Sequence, residues 1–116
     1  MRRTRMPELT PQQMKTLERL FAAGFRPIAI PPYESVLCVR RGECVAVLTP
    51  APGSGLRLLA PPSYLVAGNI SVRLQRDQRE VFAWKKNEVE ATAERLAQLA
   101  AFRQDLTNIL EEVSAQ

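Results

Sequence analysis

Ser71-Val72-Arg73-Leu74-Gln75-Arg76-Asp77-Gln78-Arg79-Glu80-Val81-Phe82-Ala83-Trp84 is the stretch that decides the fold. Two runs holding β-branched and aromatic residues flank a polar pair, the pattern of two antiparallel strands joined by a tight turn. With Asp77-Gln78 as the turn, Gln75 faces Glu80 and Arg73 faces Phe82. Side chains alternate with period two along a strand. Ile70, Val72, Leu74, Val81 and Ala83 then share one side, which is the expected core side. Ser71, Arg73, Gln75, Glu80, Phe82 and Trp84 share the other. Two large rings on a polar side call for cover, because apolar area left in water is unfavourable. The covers that suit them are, in order, the chain's own N-terminal helix, a second subunit and the bases of a nucleic acid.

Upstream, residues 35–40 and 43–49 read as another hairpin around Arg41-Gly42. A two-residue I′ turn there would force Arg41 to positive φ, which a non-glycine residue resists. A three-residue loop with Gly42 left-handed avoids this and sets Val39 opposite Glu43 and Cys38 opposite Cys44. A disulfide or redox pair is then within reach. In the other register the two thiols lie on opposite faces and cannot bond. Unpaired cysteines in reducing compartments are mostly small buried hydrophobes, and that is the reading adopted. Residues 25–30, 56–59 and 64–67 add short strands, punctuated by Pro31-Pro32, the loop 50–55 and Pro61-Pro62.

Helices close both ends. Thr10-Pro11-Gln12-Gln13 carries a cap, a proline suited to the first helical position and the glutamine of a capping box. Met14, Leu17, Leu20 and Phe21 follow at helical spacing and Gly24 stops the run, so a helix is expected over 11–23. A second helix is expected from about residue 92, with Asn87 and Glu90 offering a competing earlier start. Leu96, Leu99, Phe102, Leu106, Ile109, Leu110 and Val113 fall on one arc of it. Arg95 and Arg103 intrude on that arc, while Ala93, Ala97, Ala100 and Ala101 sit on its flank. The expected fold is α+β: an N-terminal helix, a five- to six-stranded antiparallel sheet and a long C-terminal amphipathic helix.

The chain's 116 residues suffice for one core. Residues 9–116 are read as a single domain preceded by a flexible basic arm over 1–8. No His is present, which excludes a Ser-His-Asp triad, a Cys-His pair and a His-ligated metal within the chain. The acids of the sheet region show no catalytic spacing, and Pro52-Gly53-Ser54-Gly55 lacks the Lys and helix start of a phosphate-binding loop. No enzyme, metal or cofactor is expected. No apolar run approaches the roughly 20 residues of a membrane span, and the N-terminus lacks the apolar stretch of a secretion signal, so a cytoplasmic location is expected.

The net charge of +4 is uneven, with a basic body up to residue 86 and an excess of acids after it. Such an arrangement either attracts an anionic partner or lets the acidic segment pack on its own body. A non-enzymatic protein-interaction module is the expected function, with a second copy (a homodimer) or another protein as partner and no membrane. The candidate partner surface is Arg73, Phe82 and Trp84 with Arg40 and Arg41. Single-stranded nucleic acid, held by the same rings and basic side chains, is the alternative.

Overall fold

In the computed structural model, residues 9–30, 36–50 and 55–114 are described. The basic arm over 1–8, Pro31-Pro32 and most of the loop 50–55 lie outside them. Helix α1 (Pro11–Ala22) starts as its sequence dictates. Thr10 Oγ1 accepts from the Gln13 backbone N–H at 3.1 Å, and Gln13 Oε1 accepts from the Thr10 N–H at 2.9 Å. This reciprocal box satisfies two of the donors that a helix start leaves free. Gly24, at φ +94°, closes the other end. The Phe25 N–H reaches the Leu20 carbonyl and the Gly24 N–H reaches that of Phe21, a Schellman stop that drives Phe25 straight into the core.

The first sheet has the order β1-β2-β3-β5-β6 and is antiparallel throughout; β4 also pairs with β3. Its strands are β1 (Arg26–Pro27), β2 (Leu37–Arg41), β3 (Cys44–Pro50), β4 (Leu56–Leu58), β5 (Ser63–Val66) and β6 (Asn69–Ile70). The strand expected over 25–30 shrinks to two residues, because Pro27 has no N–H to give the ladder. The chain then turns Ile28 and Ile30 onto Val45, Leu65 and Ile70 of the sheet. The opposite sheet face presents Leu37, Val39, Ala46, Leu48 and Val66 to the main core. This sheet is therefore buried on both sides.

The β2–β3 register corrects the three-residue loop. Arg41 pairs with Cys44 and Cys38 with Val47, so the turn is the two residues Gly42-Glu43. Gly42 sits at φ +63° while Glu43 keeps a negative φ, the pattern of a II′ turn. Shifting the turn by one residue puts glycine where positive φ is required and spares Arg41. It also places Cys38 and Cys44 on opposite faces, both buried and both free thiols, so the disulfide is excluded by register.

The second sheet, β7-β8-β9, consists of β7 (Val72–Arg76), β8 (Arg79–Trp84) and β9 (Asn87–Glu90). The register of its first hairpin is the expected one, with Gln75 opposite Glu80 and Arg73 opposite Phe82. Residues 87–90, read as a competing helix start, form β9 and pair back onto β8. Helix α2 (Ala93–Ser114) begins only after it, with Thr92 Oγ1 accepting from the Arg95 N–H at 3.2 Å. Phe102, Leu106 and Leu110 are its buried stripe. One apolar cluster joins α1, α2 and both sheets, with Phe25 against Phe102 at 5.2 Å between ring centroids. Among the described residues no helix is long and apolar enough to cross a membrane.

Candidate functional site

The expected core side of the second sheet is buried at Val81 and Ala83 of β8 but not at Val72 of β7, and the other side of β8 is buried too. Phe82 is 2% exposed and belongs to the main core, and Trp84 packs against that core, whereas Val72 stands 62% exposed. Two contacts orient the sheet this way. The Ser71 hydroxyl donates to the Tyr64 carbonyl at 2.6 Å, tying the start of β7 to β5. The Phe82 ring then stacks on Tyr64, with centroids 4.9 Å apart and planes 16° from parallel. A ring buries more area than Val72 or Leu74, so the larger payload goes inward although fewer apolar residues share its side. The cover is intramolecular: Tyr64 stacks on the Phe82 ring, and Phe82 belongs to one apolar cluster with residues of both helices. Val81 and Ala83 of the other side are buried as well.

Inward rotation of Phe82 does not close the gap to α2. A groove of about 600 Å³ remains between β7, β8 and the helix. Phe82, Leu96 and Leu99 make its apolar floor, and Pro61, Pro62 and Ser63 of the approach to β5 form one wall. Arg73 and Arg103 also line it. Arg73 is held in place by its neighbour, its Nε donating to Glu80 Oε2 at 2.7 Å. Arg103 is exposed and makes no ion pair among the described residues. The volume lies in the usual range for ligand and peptide sites, and an apolar floor with a few charged groups is their usual lining.

The structure thus brings together two of the five candidate surface residues, Arg73 and Phe82, with Phe82 as floor rather than exposed platform. Trp84 is half-buried, and the Lys85 ammonium lies 4.7 Å from its ring centroid. Arg40 and Arg41 lie at the tip of β2–β3, where internal bonds use them. Arg40 donates to the Gly42 carbonyl and to Glu43, clamping the turn. Arg41 lies over the Phe25 ring at 4.6 Å and pairs with Asp105 of α2 at 2.8 Å. The missed residues are Arg103, Leu96, Leu99 and the Pro61-Pro62 wall. A signal for Arg103 was visible, since it interrupts the apolar arc of its helix.

The charge asymmetry resolves within the chain. Asp105 pairs with Arg41, Glu112 with Arg19 and Glu88 with Arg76, so half of the six acids after residue 86 lie on the basic body. A smaller cavity of about 460 Å³ lies where Arg41, Cys44, Tyr64 and Phe102 meet. Burial raises the pKa of the Cys44 thiol, with Arg41 opposing and Glu43 reinforcing the shift, and burial also raises that of Cys38. Neither thiol has the lowered pKa of a nucleophile. Compared with protein-family models, curated proteins and solved structures, the chain matches none.

Proposed function

We propose that this chain is a non-enzymatic protein-interaction module that receives another polypeptide, a second copy of itself or a different protein, in the groove between β7 and α2. The observation that carries this reading is a groove in which Leu96 and Leu99 of α2 stay partly exposed beside the exposed strand β7, bordered by Arg73 and Arg103. Polar groups able to run a reaction do not converge there, whereas apolar area with a charged border is what protein docking uses. Two thiols held apart on opposite faces suit a reducing compartment, which supports a cytoplasmic location. Single-stranded nucleic acid has less support, because the ring of Phe82 is buried and that of Trp84 carries Lys85.

Sedimentation velocity of the full chain from low to high micromolar concentration, wild type beside Ala100→Arg, tests the reading. Ala100 is exposed on α2 and lines the groove, so arginine there adds bulk without disturbing the helix. Self-association in the wild type that Ala100→Arg removes is the expected result for a second copy as partner. A wild type that stays monomeric, and that also selects no peptide more strongly than Ala100→Arg does, removes the reading altogether.

A further inference from the structure

Among the described residues β7 has a strand on one side only, since it pairs with β8 and the sheet order ends there. Its five residues are exposed or half-buried. An edge of this kind presents unpaired backbone N–H and C=O groups, a template for an incoming strand. Here the edge runs beside a groove whose far wall is a helix. A strand added to β7 would therefore direct every second side chain toward α2 and its partly exposed Leu96 and Leu99. The charged groups lining that groove are both cations. Among the described residues Arg73 is engaged through its Nε by Glu80, and Arg103 makes no ion pair. A guanidinium with free N–H groups at an apolar site is a carboxylate receptor.

We propose that the groove takes an extended acidic segment of a different protein, which adds to the β7 edge as a further strand. The segment sets one apolar side chain on Leu96 and Leu99 and presents an Asp or Glu to Arg103 and Arg73. The apolar and acidic residues are two positions apart, because in an extended chain only i and i+2 share a face, roughly 7 Å apart. This inference rests on the interaction-module reading and names the chemistry of the partner.

Selection of displayed random peptides of about eight residues, within the usual length of a strand, by the full chain tests it. The expected consensus is an aliphatic or aromatic residue with Asp or Glu at two-residue spacing. In anisotropy titrations with the synthetic consensus, Arg103→Glu weakens binding about tenfold or more, and a Lys in place of the peptide's acid restores it. Arg103 is exposed, so the variant's circular dichroism matches the wild type. Methylating successive peptide amides abolishes binding at alternate positions only, the signature of a strand. Enrichment of basic peptides, or of apolar residues at helical spacing, overturns the inference while leaving the module reading in place. Self-association that Arg103→Glu abolishes overturns it too, because a second copy is then the occupant. No enrichment together with a monomeric wild type overturns both.

Discussion

The hairpins β2–β3 and β7–β8 are built from similar strands and are used in opposite ways. β2–β3 lies inside its sheet, with β1 beyond β2 and with β4 and β5 along β3. Both its faces are covered, and the arginines at its tip are spent on the Gly42 carbonyl, Glu43, Phe25 and Asp105. β7–β8 has an open edge, one face in the main core and an arginine with donors left over. Basic residues and rings near a sheet therefore do not by themselves mark a surface. What marks it is whether neighbouring elements have already used their bonding capacity.

The largest expected effect probes the inward side of β8. Phe82→Ala removes a fully buried ring and costs about 3–5 kcal/mol, read from urea unfolding, whereas Val72→Ala changes stability by no more than about 0.5 kcal/mol. If the two cost the same, the assignment of inner and outer sides fails. Next comes the contrast between arginines. Arg41→Ala loses a cation–π stack and a partly exposed ion pair, together about 1 kcal/mol, while Arg73→Ala costs less than about 0.5 kcal/mol and acts on peptide binding instead. Equal costs would erase the distinction between the two hairpins.

The turns offer a smaller test. Asp77 and Gln78 both lie at positive φ, 53° and 64°, which makes the β7–β8 connection a I′-type turn without glycine. Gln78→Gly relieves the second position and is expected to raise stability by about 0.5–1 kcal/mol, seen as a higher urea midpoint. Gly42→Ala has the opposite sign, because φ +63° there strains any side chain.

The smallest effect is with pH. Burial raises both thiol pKa values, so the folded chain keeps protons that the unfolded chain gives up. The stabilisation from keeping these thiols neutral is complete below the unfolded value and erodes as pH rises above about 8.5. A Cys38→Ala, Cys44→Ala double variant is expected to lose that part of the alkaline decline. Oxidant is expected to leave the native wild type without an internal disulfide, and finding one would contradict the β2–β3 register.

Much of the fold was legible because its signals are local. The capping box at Thr10 and Gln13, the glycine stop at Gly24, the β7–β8 register and the stripe Phe102, Leu106 and Leu110 depend on residues within a few positions of one another. The β2–β3 turn differs by one residue from the expectation because Gly42 can supply the positive φ of either a bulged three-residue loop or a II′ turn. The candidate site was legible only in Arg73 and Phe82, with Arg103 noted as an interruption of its helix. Pro61-Pro62 and Leu96 reach the same groove from distant parts of the chain, and no local pattern joins them.

Local sequence set the two helices with their caps and most of the strands, though not β9 or the shortness of β1, and it set Arg73 across from Phe82. These follow from short-range sterics, hydrogen bonding and periodicity. Long-range contacts were needed to bury Phe82 as well as Val81 and Ala83, to set residues 72–90 in a sheet of their own with β7 at its edge, and to bring Arg103 and Arg73 to one groove. The reason is that alternation names two faces without saying which partner is available to either. That choice was made by Tyr64, whose ring stacks on Phe82 while Val72 stays exposed.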